Sequence, residues 1–336
     1  MKRAAGVLMA LLTAALVFFC GLRFHLNWTP TWRTGEHAAE TEDLSTLKES
    51  FRVLLPAAGR IAVRAADAVL MTGTGSRILD AGAVGRGTER SGAVFPETMY
   101  PFRAMLSEEA ARVYDQVYDN AMALNADSFL LEHPLDETEL SGVMNALCND
   151  HPELFWLDTT YTFGYRAEGG KAVTLRISFN SYADDIDVSR AAFTAAADRI
   201  LAGLAESGAE EAERKIHDRL LLQTEYDRNA PENQTAYSAL VEGRSVCAGY
   251  ARAFQYLLMR AGIPCFYCEG DAGGGDHAWN IVFLGDGYGN VDPSWDDGDP
   301  PGHEWFNLSD GAFAETHVRS DLSMGLPACA GSGGRG

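Results

Sequence analysis

The segment Gly243-Arg244-Ser245-Val246-Cys247-Ala248-Gly249-Tyr250 reads as an extended entry into a helix that carries a cysteine in its first turn. Ser245 is a side chain of the N-capping type. After it, Ala248, Ala251, Phe254 and Leu258 recur at three- and four-residue steps, with Tyr250, Leu257 and Ala261 flanking that stripe. Gly262 and Pro264 supply the stop. The pattern predicts a helix capped by Ser245. Unpaired backbone N–H groups and the positive end of the helix dipole favour a thiolate at Cys247. The same N–H groups are placed to receive an oxyanion. For a cysteine seen alone, a buried structural thiol is the competing reading.

Two downstream segments change that balance. His277-Ala278-Trp279-Asn280-Ile281-Val282-Phe283-Leu284 reads as a strand, Gly285-Asp286-Gly287-Tyr288-Gly289 as a turn, and Asn290-Val291-Asp292 as the returning strand. With Asp286-Gly287 as a two-residue turn, Asp292 lies opposite Ile281 and shares a face with His277, offset along the strands. Direct contact then requires a bulge, a different register or strong twist, and the three glycines permit these. Taken singly, His277 reads as a core or surface residue and Asp292 as a turn carboxylate before Pro293. Cys247, His277 and Asp292 are separated by 30 and 15 residues, so one domain can hold all three. They supply a thiol nucleophile, a base to deprotonate it and a carboxylate to orient the base.

The stretch from about Lys215 to Asp297 resembles the transglutaminase-like superfamily, in the branch seen in bacterial surface proteins. The matching pieces are Ile216-His217-Asp218 with Glu225-Tyr226-Asp227, Thr235-Ala236-Tyr237-Ser238-Ala239-Leu240, the Gly243 to Ala251 segment, Gly262-Ile263-Pro264-Cys265, His277-Ala278-Trp279-Asn280 and Val291-Asp292-Pro293-Ser294-Trp295-Asp296-Asp297. The resemblance implies a papain-like fold and a Cys-His-Asp triad at Cys247, His277 and Asp292. Residues from about Pro101 to Arg214 resemble the extension that often precedes this domain. Members of the superfamily include protein cross-linkers, deamidases, peptidases and inactive copies.

The expected chemistry is thiol-dependent acyl transfer or amide hydrolysis through a Cys247 thioester, with no cofactor and no metal. The partner is a protein or peptide bearing a glutamine or a backbone amide. An amine acceptor gives cross-linking, and water gives deamidation or proteolysis. A second oxyanion donor, beside the Cys247 N–H, is sought just upstream at Gln234, Asn233 or Tyr237. Trp279 and Trp295 flank the triad and read either as walls of an acyl groove or as core aromatics. Trp156 and Trp305 read as core. The alternative function is a catalytically silent surface binding or assembly module that keeps the fold.

The chain has 336 residues, 46% of them hydrophobic, enough for one or two domains with a real core. Its net charge of −20 disfavours non-specific binding of nucleic acid or anionic membrane by the body of the protein. Lys2 and Arg3 precede an apolar run from Ala4 to Leu22. That run predicts a signal anchor with the catalytic domain outside the cell, or a cleaved signal peptide and secretion. Of six cysteines, Cys20 falls in this run, and the pairing of Cys148, Cys265, Cys268 and Cys329 is left open. Cys265 and Cys268 lie on opposite faces of a predicted strand with no second Cys/His pair, which argues against a zinc knuckle. Asp296-Asp297-Gly298-Asp299 lacks calcium-loop spacing and reads as a solvated turn. His303 and His317 have no evident partner and read as structural or exposed.

The overall expectation is α+β: a papain-like, transglutaminase-like core, with an N-capped catalytic helix on an antiparallel sheet, preceded by an α/β extension and an N-terminal membrane segment. The parts are an anchor or signal at 1–22, a variable stalk or linker at 23–95, the extension at 96–208, the catalytic domain at 209–322 and a flexible Gly-rich tail at 323–336. Within the stalk, Thr72-Gly73-Thr74-Gly75-Ser76 and the glycines from Gly82 to Gly92 read as linker. Within the extension, helices are predicted after Ser107, after Asp136 and from about Ser189 to Ala205. A hairpin, Thr159–Tyr165 with Val173–Phe179, is predicted around Glu168-Gly169-Gly170. A further helix is expected from about Glu210 to Tyr226.

Overall fold

The computed structural model describes residues 71–78, 84–166 and 169–331, all within one unit, Ala57–Gly336. The expected membrane segment at 1–22 lies outside the described residues, as does the end of the tail. Among the described residues no helix is long and apolar enough to cross a membrane.

The first half builds helices against a four-stranded sheet. Its elements are β1 (Thr72–Arg77), a short α1 (Pro101–Ala104), α2 (Glu108–Met122), β2 (Phe129–Leu135), α3 (Glu137–Asp150), β3 (Leu157–Tyr165) and β4 (Ala172–Phe179), with strand order β1-β3-β4-β2. Local chemistry starts both long helices. Ser107 Oγ accepts from Ala110 N, and Asp136 and Glu139 close a reciprocal capping box. β3 and β4 pair antiparallel as the hairpin pattern predicts.

The linker reading of residues 72–76 is corrected: they form an edge strand parallel to β3, with Thr72 against Thr160 and Ser76 against Gly164. A Cβ on Gly73 would fall 2.5 Å from the Tyr161 ring, and one on Gly75 2.6 Å from Phe163. The glycines are there so that two aromatic rings can cover the strand, not for flexibility. Residues 84–95 are likewise tied down. Gly85 O accepts from Leu130 N, Ser91 bonds Asp119, and the Phe95 ring packs against Tyr100, Tyr114, Tyr118 and His151.

The second half begins with α4 (Ile186–Leu201) and α5 (Ala209–Leu221). Both end earlier than their apolar patterns suggest. Gly203, at φ 74°, closes the turn after α4. After α5 the chain turns into the short strand β5 (Glu225–Tyr226), which pairs parallel with β6 (Arg244–Ser245). A π-helix, Ser238–Glu242, lies between them. Then come α6 (Cys247–Arg260), β7 (Cys265–Ala272), β8 (Gly275–Phe283), β9 (Tyr288–Val291), α7 (Pro293–Asp296), α8 (Asp310–Phe313) and β10 (His317–Arg319). The second sheet is antiparallel with order β10-β7-β8-β9. One hydrophobic core runs from Met144 and Leu147 through Phe254 and Leu258 to Ile281 and Val291.

Ser245 does not cap α6. The cap position is Val246, which offers no side-chain hydrogen bond. Ser245 sits in β6, and its Oγ donates to Asn233 O at 2.5 Å and meets Ser238 Oγ at 2.8 Å. The β5–β6 pairing holds this residue extended, so its hydroxyl serves the 233–238 segment instead of the helix. That segment crosses α6 at Gly249. A Cβ there would collide with Ser245 Oγ and approach the carbonyl oxygens of Thr235 and Asn233 to 2.8 and 2.9 Å. Gly249→Ala gains about 1 kcal/mol of helix propensity but costs about 1–3 kcal/mol of overpacking against backbone that cannot retreat. The expected outcome in urea unfolding is a net destabilisation; an unchanged or stabilised protein would show that the crossing is looser than this.

Candidate active site

Cys247 is the first residue of α6, His277 lies near the start of β8, and Asp292 follows β9 and caps α7. The β8–β9 register decides whether the last two meet. Asn280 pairs with Val291 and Ile281 with Asn290, so the connection is Leu284–Gly287 and not the two-residue Asp286-Gly287 turn. Leu284 N donates to Gly287 O at 3.1 Å, and Gly285 takes φ 97°. The register is two residues from the expected one. It brings Asp292 one pleat closer to His277 on the same face, and His277 Nε2 lies 2.6 Å from Asp292 Oδ2.

Asp292 is wholly buried and fully engaged. Its Oδ1 accepts from Ser294 N, Ser294 Oγ and Trp295 N at 3.0, 2.7 and 3.1 Å. Its Oδ2 receives His277 and, at 3.2 Å, His317 Nε2. Burial alone would raise its pKa, but the hydrogen bonds from His277 and His317 outweigh that and hold it well below the usual carboxylate range. Burial also disfavours a charged His277. The hydrogen bonds to Asp292 and to Cys247 outweigh it, and its pKa is pushed up to about 10. With Nε2 committed to Asp292, the other ring nitrogen is the one left for the thiol.

His317 is the participant that sequence reading missed, and its description as partnerless is corrected. It comes from the edge strand β10, paired with β7 at Ala272. Its Nδ1 meets Thr316 Oγ1 at 2.8 Å. Phe313, Trp295, Trp279 and Trp305 surround its ring at centroid distances of 4.1 to 5.2 Å. No local pattern marks it, because every one of these contacts except Thr316 and Phe313 is remote in sequence.

Trp279 is core: it is 1% exposed, and its Nε1 donates to Asn290 Oδ1. Trp295 is half-buried, 5.6 Å from the His277 ring, with Gly273 of the β7–β8 turn beside it. Trp156 is buried and bonds Ala121 O, and Trp305 stands edge-on to Trp295. Of the upstream oxyanion candidates, Asn233 has its side-chain amide engaged, Nδ2 donating to Asp227 O and Arg228 O. Asn233 O accepts from Val246 N, and Gln234 O accepts from the buried Arg252. The Tyr237 ring packs against Phe155 and Tyr182.

Among the described residues no disulfide forms, and Cys148, Cys265, Cys268 and Cys329 are thiols. Burial pushes the thiols of Cys265 and Cys268 up, and that of Cys329 up to about 12. The Asp296-Asp297 turn is not solvated as expected. Asp296 is buried and accepts from Trp305 N, while Asp297 accepts from Tyr250 OH. Ligand atoms of His277, Asp292 and His317 lie within 4.8 Å of one another, near enough to share a metal. Their arrangement is already accounted for, since both imidazoles aim Nε2 at one carboxylate oxygen. Cys247 itself has no exposed surface. It packs with Ala248, Ala251, Tyr267 and Ala278, with the partly exposed Tyr226 over them.

Residues 194–293 match the family model described as the transglutaminase-like superfamily. Among solved structures, the chain is similar to a candidate cysteine protease from Cytophaga hutchinsonii, with 15% identity over 44% of this chain and 55% of that one and a TM-score of 0.30. It is similar to a TGase at 12% identity over 50% of each chain, TM-score 0.28. The periplasmic domain of TgpA from Pseudomonas aeruginosa is 19% identical over 38% of this chain and 55% of that one, TM-score 0.25. The chain thus spans about half the length of the solved structures it matches. No curated protein matches it. The segment that holds Cys247, His277 and Asp292 is thus the part of the chain that matches the transglutaminase-like superfamily.

Proposed function

We propose that the chain carries out thiol-dependent acyl transfer or amide hydrolysis on protein or peptide substrates, with Cys247 as nucleophile, His277 as base and Asp292 as its orienter. The observation that carries this reading is one imidazole joined to a buried carboxylate on one side and to a helix-start thiol on the other. The Cys247 sulfur attacks an amide carbonyl, and the oxyanion is received at the N-terminus of α6. Imidazolium His277 gives its proton to the leaving amine, and a thioester remains. Water or an amine then attacks, His277 takes the proton from it, and the sulfur leaves as a thiolate paired with the imidazolium. His317 is a positioning residue that helps keep Asp292 ionised and fixed. An extracellular placement on the N-terminal apolar run is part of the same proposal.

The full burial of Cys247 favours a second reading, a surface binding or assembly module that keeps the fold without turnover. Alkylation separates the two. Under the catalytic reading, iodoacetamide near neutral pH labels Cys247 faster than a model thiol, and Cys247→Ala abolishes amine incorporation into casein, peptide cleavage and ammonia release alike. Labelling no faster than the model thiol, together with a biological role untouched by Cys247→Ala, would leave the binding module. His277→Ala is expected to lower the rate by roughly 10²–10⁴-fold.

The raised His277 pKa fixes the sign of the pH dependence. The imidazolium persists below about 10 and is lost above it, so activity declines on the basic side near that value. In Asp292→Asn the basic limb moves down toward the ordinary histidine value of 6.5. A limb that does not move would show that Asp292 is not what holds the proton on the ring. If Tyr226 covers the thiol, Tyr226→Ala speeds alkylation of Cys247 severalfold; an unchanged rate would assign the covering elsewhere.

A further inference from the structure

A second cluster of histidines and carboxylates, unused by the mechanism above, lies where α5 meets the loop after α7. His217 and Asp218 come from the last turns of α5, Asp296 ends α7, and His303 follows it. The His217 and Asp296 side chains are wholly buried. His217 Nε2 lies 3.2 Å from Asp296 Oδ2, and its Nδ1 lies 3.3 Å from Asp218 Oδ1. His303 Nε2 lies 2.6 Å from the same Asp218 oxygen, with the two imidazole centroids 5.1 Å apart. Neither His217 Nε2 nor Asp296 Oδ2 completes an aligned hydrogen bond, although they are close enough for an ion pair. Asp218 and His303 have side chains 45% and 29% exposed, so the cluster opens to solvent.

Counting donors shows what the cluster is missing. A neutral imidazole has one N–H. If His217 gives it to Asp296, the Nδ1 lone pair faces the Asp218 carboxylate with nothing to share. If it gives it to Asp218, the Nε2 lone pair faces a buried carboxylate. Either arrangement calls for one more positive charge, a proton or a metal ion. Ligand atoms of His217, Asp218 and His303 lie within 4.8 Å of one another, a spacing that a small cation can span. Two nitrogens and one oxygen suit zinc-class ions better than calcium or magnesium, which take oxygen ligands. Asp296, fixed by Trp305 N, stands where an outer carboxylate orients a metal-bound histidine.

We propose that His217 Nδ1, Asp218 and His303 bind a divalent transition-metal ion of the zinc class, with Asp296 orienting His217. The ion clamps α5 to the segment that follows Asp292. It takes no part in bond making, and the proposal stands independently of the thiol chemistry.

The test uses the full chain, freed of metal and carrying Cys247→Ala so that the active-site thiol cannot compete. Zn²⁺ titrated by calorimetry is expected to fill one saturable site and to raise the melting temperature. Co²⁺ is expected to give visible bands without thiolate charge transfer. His303→Ala and Asp218→Asn, both at partly exposed positions, should each weaken binding at least tenfold and remove the thermal shift, and Asp296→Asn should weaken it about 10–100-fold. The absence of a saturable site, a thiolate band with Co²⁺, or unchanged affinity in His303→Ala and Asp218→Asn would overturn the proposal.

Discussion

A carboxylate with no contact to water holds this site together. Stripping solvent from an ionised side chain is expensive unless several donors replace it. Asp292 has five: two imidazoles, two backbone N–H groups and a hydroxyl. Each donor fixes something different. The backbone groups and Ser294 start α7, His277 ties in β8, and His317 draws in the far edge of the sheet. The two outer strands of a four-stranded sheet thereby meet over one oxygen, although they are not neighbours in it.

Helix α6 connects this centre to the rest of the molecule. Its first residue carries the sulfur, and its middle turns hold the extension. Gln255 Nε2 donates to Asn149 O, and Arg252 reaches Cys148 Sγ at 3.2 Å while lying over the Tyr267 ring. Tyr267 in turn packs on Cys247. The N-terminal half is therefore joined to the helix that carries Cys247, through a shared core.

What could be read from the sequence was mostly local. The apolar spacing of α6, the caps of α2 and α3 and the β3–β4 hairpin all depend on residues within a few positions of one another. What escaped depended on distant partners. Ser245 has the right side chain for a cap, but a parallel pairing with β5 turns it elsewhere. Asp286-Gly287 is a strong two-residue turn signal, yet Gly285 takes the positive φ and moves the register by two. Gly73 and Gly75 look like linker until the Tyr161 and Phe163 rings on the neighbouring strand are in view. His317 lies 25 residues beyond Asp292 and reaches it only across the folded sheet.

Under the proposed thiol chemistry, the complete enclosure of the Cys247 sulfur leaves the domain latent in the conformation described. A buried group reacts only in the fraction of molecules that are momentarily uncovered, so apparent affinity for any acyl donor falls below its intrinsic value by that fraction. Under that reading, a partner able to hold the covering aside would act as an activator without touching the chemistry.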